Sequence, residues 1–175
     1  MIPKQSVALA VLALTLAACG PSGNGEHRGG PSSDALNDAC RALGDATAIF
    51  GADADVRGYA GLEDMASTCE FASADGAHAG EIILYTAQSL GEKNAETRMG
   101  EITQQWDAQT ETPLAAIEGV GEAAQLAKDL PGYQVQIAFR KGGSLVLISA
   151  RSGDARPTDE ALARSMAQAA AANLP

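Results

Sequence analysis

Tyr133-Gln134-Val135-Gln136-Ile137-Ala138-Phe139-Arg140-Lys141-Gly142-Gly143-Ser144-Leu145-Val146-Leu147-Ile148-Ser149-Ala150 decides the fold. Val135, Ile137 and Phe139 alternate with Gln134, Gln136 and Arg140, the period of two that sends successive side chains to opposite faces of a strand. Lys141-Gly142-Gly143 supplies a tight turn, and 144–150 reads as the returning strand. Strands joined by a hairpin are antiparallel, which excludes an all-parallel sheet.

Working outward, Pro157-Thr158-Asp159-Glu160 opens a last helix, in which Leu162, Met166, Ala169, Ala170 and Asn173 recur at helical spacing. Before the hairpin, 123–127 reads as a weaker strand. Residues 92–109 form a helix with Ala95, Met99, Ile102 and Trp106 on one stripe and the charges elsewhere. Trp106 on that stripe reads as core. Strands are predicted at 68–73 and 81–87, joined by an exposed loop that carries His78, after an irregular connection over 52–66. Ser33 is the predicted N-cap of an opening helix with Leu36, Cys40, Leu43, Thr47 and Phe50 at three- and four-residue spacing. Gly44 divides that helix and Gly51 closes it. The predicted order is αββαβββα, an α+β domain over 34–175 with an antiparallel sheet of about five strands packed with helices.

The chain has 175 residues, which suits one domain. It carries 22 acidic against 12 basic residues, a formal charge of −10. That balance opposes nucleic acid and the surfaces of anionic lipids. With 3 Phe, 3 Tyr and 1 Trp, the core is built from Ala, Leu, Ile and Val, and so thin a core gains from a covalent staple.

The N-terminus carries an address. Lys4 precedes an apolar run from Val7 to Leu16, and Leu16-Ala17-Ala18-Cys19 follows. The run is about ten residues, too short for the roughly 20 of a spanning helix. Leu16-Ala17-Ala18-Cys19 resembles the lipobox of bacterial lipoprotein precursors. The resemblance implies that 1–18 is a signal peptide, that cleavage precedes Cys19, and that the Cys19 thiol takes a lipid and becomes the new N-terminus. Three acyl chains would hold the protein firmly, where one binds only marginally. Gly20, rather than an aspartate, follows the cysteine, which in a Gram-negative host implies the periplasmic face of the outer membrane. Residues 19–33 are a Gly/Ser/Pro tether with no apolar side chain to bury. Its root-mean-square reach is about 20 Å. His27, beside Arg28 in that tether, reads as solvated.

With Cys19 assigned to lipid, Cys40 and Cys69 remain. An even pair in an oxidising compartment reads as a disulfide.

Chemical motifs are sparse. Gly119-Val120-Gly121-Glu122-Ala123-Ala124 spells part of a dinucleotide fingerprint, but a strand rather than a helix follows it, so the glycines read as a turn of positive φ. Asp53, Asp55 and Gly58 match positions of a calcium loop over 53–64, while Arg57 and Asp64 stand where carboxylates of other geometry belong. Solvated acids, one of them paired to Arg57, are the expected reading. No Gly-x-Ser-x-Gly elbow or His-Glu-x-x-His occurs, and His78 is the one histidine outside the tether. Carboxylate pairs for glycoside chemistry have no sequence signature of their own.

Cys40 in an opening helix, a glycine after Phe50, Cys69-Glu70-Phe71, and the Gly119 turn before a hairpin and last helix together resemble a loose group of uncharacterised small disulfide-bonded envelope lipoproteins. That group is best populated in actinobacteria. The resemblance implies binding rather than chemistry and transfers no catalytic residue. The expectation is a lipid-anchored envelope protein, not an enzyme, with no metal or cofactor. Its role is to bind an envelope protein or glycan through a patch that includes Tyr85 or Tyr133. A small-ligand carrier with an apolar cavity is the alternative, and an envelope hydrolase a weaker one.

Overall fold

The computed structural model describes residues 37–59, 66–130, 133–152 and 156–175. The segment read as a signal peptide, Cys19, the stretch read as a tether and the expected cap Ser33 lie outside them. Helices α1 (Asp38–Leu43) and α2 (Thr47–Phe50) precede β1 (Asp55–Tyr59), β2 (Ser67–Ala72) and β3 (His78–Tyr85). Then come α3 (Ala87–Leu90), α4 (Ala95–Asp107), β4 (Ala115–Ala116), β5 (Ala123–Leu130), β6 (Tyr133–Lys141), β7 (Ser144–Ser152) and α5 (Arg156–Asn173). The strands form one antiparallel sheet in the order β1-β2-β3-β7-β6-β5-β4. Two meanders, β1–β3 and β4–β7, meet only at the seam between β3 and β7, where His78 pairs with Ser152 and Tyr85 with Leu145.

The α+β class is as read from the sequence, but the sheet has seven strands rather than about five. The first additional strand, β1, lies in the stretch read as an irregular connection. As an edge strand it is exposed at Asp55, Arg57 and Tyr59 and only half-buried at Val56 and Gly58, so no apolar alternation marks it. The second, β4, is two exposed alanines long. Short helices also flank the predicted ones. Gly44 does divide the opening helix, and Thr86 begins α3 through a capping box with Ser89.

The inner face packs on α1 and α5. Ala163, Met166, Ala167 and Ala170 of α5 are fully buried with Ile82, Val146, Ile148 and Phe139 of the sheet. Alanine lets the helix approach closely, and Gly80 answers it: a Cβ there would lie 2.6 Å from Met166 Sδ. Asn37 opens α1. Its Oδ1 accepts from the Cys40 amide at 3.0 Å while its Nδ2 donates to the Tyr59 and Thr68 carbonyls at 2.8 Å, tying the helix start to β1 and β2. A Cys40–Cys69 disulfide completes the joint between α1 and β2.

Among the described residues the outer face is covered only in part. Ala95, Met99, Ile102 and Trp106 of α4 pack on Ala127, Leu130, Ala138 and Leu145, over β5, β6 and β7. Among the described residues no helix is long and apolar enough to cross a membrane.

Candidate functional site

The outer face toward β1, β2 and β3 lies beyond α4. Residues directly opposite in an antiparallel pair share a face, so the register sets Arg57, Glu70, Glu81, Ser149 and Gln136 in one row across five strands. The adjacent row runs Asp55, Ala72, Ala79, Arg151. The two small alanines leave a depression between charged neighbours. With Asp129 and Leu130 at the end of β5 it forms a trough of about 970 Å³, open to solvent.

The charges in the trough are unevenly matched. Arg57 is paired with Asp55 at 2.6 Å, and this contact holds its guanidinium pKa above the usual value. The Tyr59 hydroxyl donates to Glu70 Oε2 at 3.2 Å. Burial first, and repulsion from Glu70 second, push the Glu81 carboxyl above the ordinary carboxylate range. Gln136 Nε2 donates to Ser149 Oγ at 2.9 Å. Among the described residues neither Glu81 nor Arg151 forms a hydrogen bond or an ion pair through its side chain. The result is a polar floor with one compensated cation, one uncompensated cation and two adjacent carboxylates.

Several residues singled out in the sequence fall elsewhere. Cys40 and Cys69 are joined and buried in the core. His78 is not in an exposed loop. It begins β3 half-buried, and its register with Ser152, one position out of phase with Ala79 and Glu81, puts it on the inner face. The sheet therefore separates His78 from Ser149, Glu70 and Glu81, and these residues do not assemble a Ser-His-acid arrangement. Tyr85 is half-buried against the α4 cluster, with the Arg98 guanidinium 5.9 Å from its ring centroid. The side chain of Tyr133 lies outside the described residues. Among the described residues Tyr59 is instead the exposed large hydrophobic side chain, at 50%.

In the segment tested against a calcium loop, Asp55 and Arg57 stand on an extended strand and pair with each other, while 60–64 lie outside the described residues. No three His, Cys, Asp or Glu among the described residues converge to hold a metal. Gly119 and Gly121 have φ of 76° and 57° and turn the chain into β5, as a structural turn requires. Glu70, Glu81, Ser149 and Arg151 were not selected from sequence. Glu70 stands between buried Cys69 and Phe71, a signal that was available. Glu81, however, shares its phase with Ile83, and Ser149 and Arg151 share theirs with Leu145 and Leu147, so neither the local pattern nor any local rule for strand order marks them. The chain matches no protein-family model, no curated protein and no solved structure.

Proposed function

We propose that this is a lipid-anchored lipoprotein of the bacterial cell envelope, on the periplasmic face of the outer membrane if its host is Gram-negative, with a non-catalytic binding or accessory role. The anchor reading rests on Leu16-Ala17-Ala18-Cys19 behind a short apolar run. The binding reading is carried by one observation: the half of the outer sheet face that no described helix covers forms a trough with polar side chains from five strands. A rigid sheet holds such groups in fixed relation, as a recognition surface needs. The packed interface between α5 and the sheet speaks against an apolar carrier cavity there, and the position of His78 speaks against a hydrolase built on it.

Two linked experiments test this. Growth with an alkyne-tagged palmitate should label the wild type and leave Cys19→Ser unlabelled and released from the membrane fraction. Photo-cross-linking from position 59, beside the trough, in living cells should capture one dominant envelope component, reduced in Cys19→Ser. An unlabelled wild type refutes the anchor, and absence of any specific capture refutes the accessory role.

A further inference from the structure

The trough is matched to a ligand that bears both charges. Glu70 and Glu81 are direct cross-strand neighbours, and like charges in that relation repel unless a cation lies between them. Arg57 does not serve, because Asp55 already holds it. Arg151 stands in the next row, paired with Ala79, two residues along β7 from the Ser149 that faces Glu81. Diagonal neighbours of this kind have Cα atoms about 7–8 Å apart. Between and beside them Ala72 and Ala79 offer a shallow, weakly apolar floor.

We propose that this trough binds a short peptide with free ends, its ammonium between Glu70 and Glu81 and its carboxylate on Arg151. The proposal rests on the binding reading above and names the ligand class. An extended chain spans about 3.3–3.6 Å per residue, so two or three residues bridge the two poles. A volume of about 970 Å³ admits a ligand of that size with water beside it, near the upper end of small-ligand sites. Nucleotides and other polyanions are disfavoured, because Asp55, Glu70, Glu81 and Asp129 outnumber Arg57 and Arg151 along the lining.

The test uses the full chain purified in detergent, with trialanine as the probe because its side chains carry no charge. Amide chemical shifts are followed by NMR during titration with trialanine, N-acetyl-trialanine and trialanine amide. Trialanine is expected to shift the amides of residues 70, 81 and 151. Each blocked peptide is expected to bind at least about tenfold more weakly. Glu81→Gln should abolish discrimination against the acetylated peptide and Arg151→Gln discrimination against the amide, with the remaining spectrum unchanged as proof of an intact fold. No shifts at the trough, equal binding of the blocked peptides, or discrimination that survives both substitutions would each overturn the proposal. Palmitate labelling and cross-linking judge the anchored accessory reading separately. Trialanine binding by an unlabelled protein would remove the anchor alone, whereas normal labelling and capture without trialanine binding would remove only the ligand class.

Discussion

Breaking the Cys40–Cys69 bond should cost this domain a large part of its stability. The two cysteines are 29 residues apart, and the chain-entropy relation for a loop of that length gives about 3.6 kcal/mol at 25 °C. Domains in this size range lose about 2–4 °C of Tm per kcal/mol, so the oxidised-to-reduced difference should be about 10 °C. Most of this arises in the unfolded chain. In the folded state α1 keeps its other attachments: the Asn37 hydrogen bonds to β1 and β2, the Asn173 amide donating to the Ala42 carbonyl at 3.2 Å, and the buried Leu43. The reduced protein should therefore still fold. The assay is a calorimetric melt of the full chain, oxidised, and after reduction in denaturant followed by refolding with reductant present. Cys40 and Cys69 are 2% and 0% exposed, so a thiol reductant added without denaturant should act only as fast as the domain unfolds. A Tm difference below about 3 °C, or rapid reduction of the native protein, would refute the reasoning.

Gly121→Ala should lose about 2 kcal/mol or more, because its φ of 57° is unfavourable for alanine and its Cβ would collide with the Arg140 carbonyl oxygen. Gly76→Ala, with φ 69° and open space around it, is the control and should lose about 1 kcal/mol in the same denaturant titration. Glu160 joins α5 to Lys128 of β5 at 2.6 Å and to Arg164 at 2.8 Å, and these hydrogen bonds hold its pKa below the usual value. Its contribution is present above the unfolded pKa and fades as pH falls through the folded one. Because both cations are more than one-third exposed, Glu160→Gln should cost less than about 1 kcal/mol at pH 7, a difference that closes in acid melts. Glu81 has the opposite sign. Its raised pKa makes ionisation costly, a cost absent below the unfolded pKa that appears as pH rises through the folded one. Because Glu81 is only half-buried and solvent screens its repulsion, Glu81→Gln should gain no more than a few tenths of a kcal/mol at neutral pH and nothing in acid; a loss at neutral pH would show that the carboxylate is compensated.

Where a segment buries one face fully, the sequence declared it. β6 alternates because its inner side chains Val135, Ile137 and Phe139 are buried. β7 reads as a continuous apolar run because Val146 and Ile148 face α5 while Leu145 is buried under α4, and the α4 stripe ends in a Trp106 that is indeed core. The Gly119 turn was legible because positive φ falls to glycine. Edge strand β1 was not, since its stability comes from pairing with β2 and from Asn37 rather than from its own apolar pattern. Asn37 itself replaces the predicted cap, and nothing local distinguishes an asparagine that also bridges two strands. The trough depends on β3 lying beside β7, so Glu81 and Arg151 become neighbours through a pairing that no local rule specifies.

That same seam sets a schedule for assembly. Each meander closes through short loops, but residues 78–85 have to wait for 145–152, and the shortest loop across the seam is roughly 60 residues, so its closure is entropically slow compared with a hairpin. Until it closes, β3 presents Ile82, Ile83 and Leu84 on an unpaired edge, the kind of strand that recruits other chains. A chain synthesised from its N-terminus passes through this state on every molecule. The late-arriving C-terminal strand and α5 therefore act as the built-in guardian of the first half, and the hazard ends only when the last part of the chain emerges.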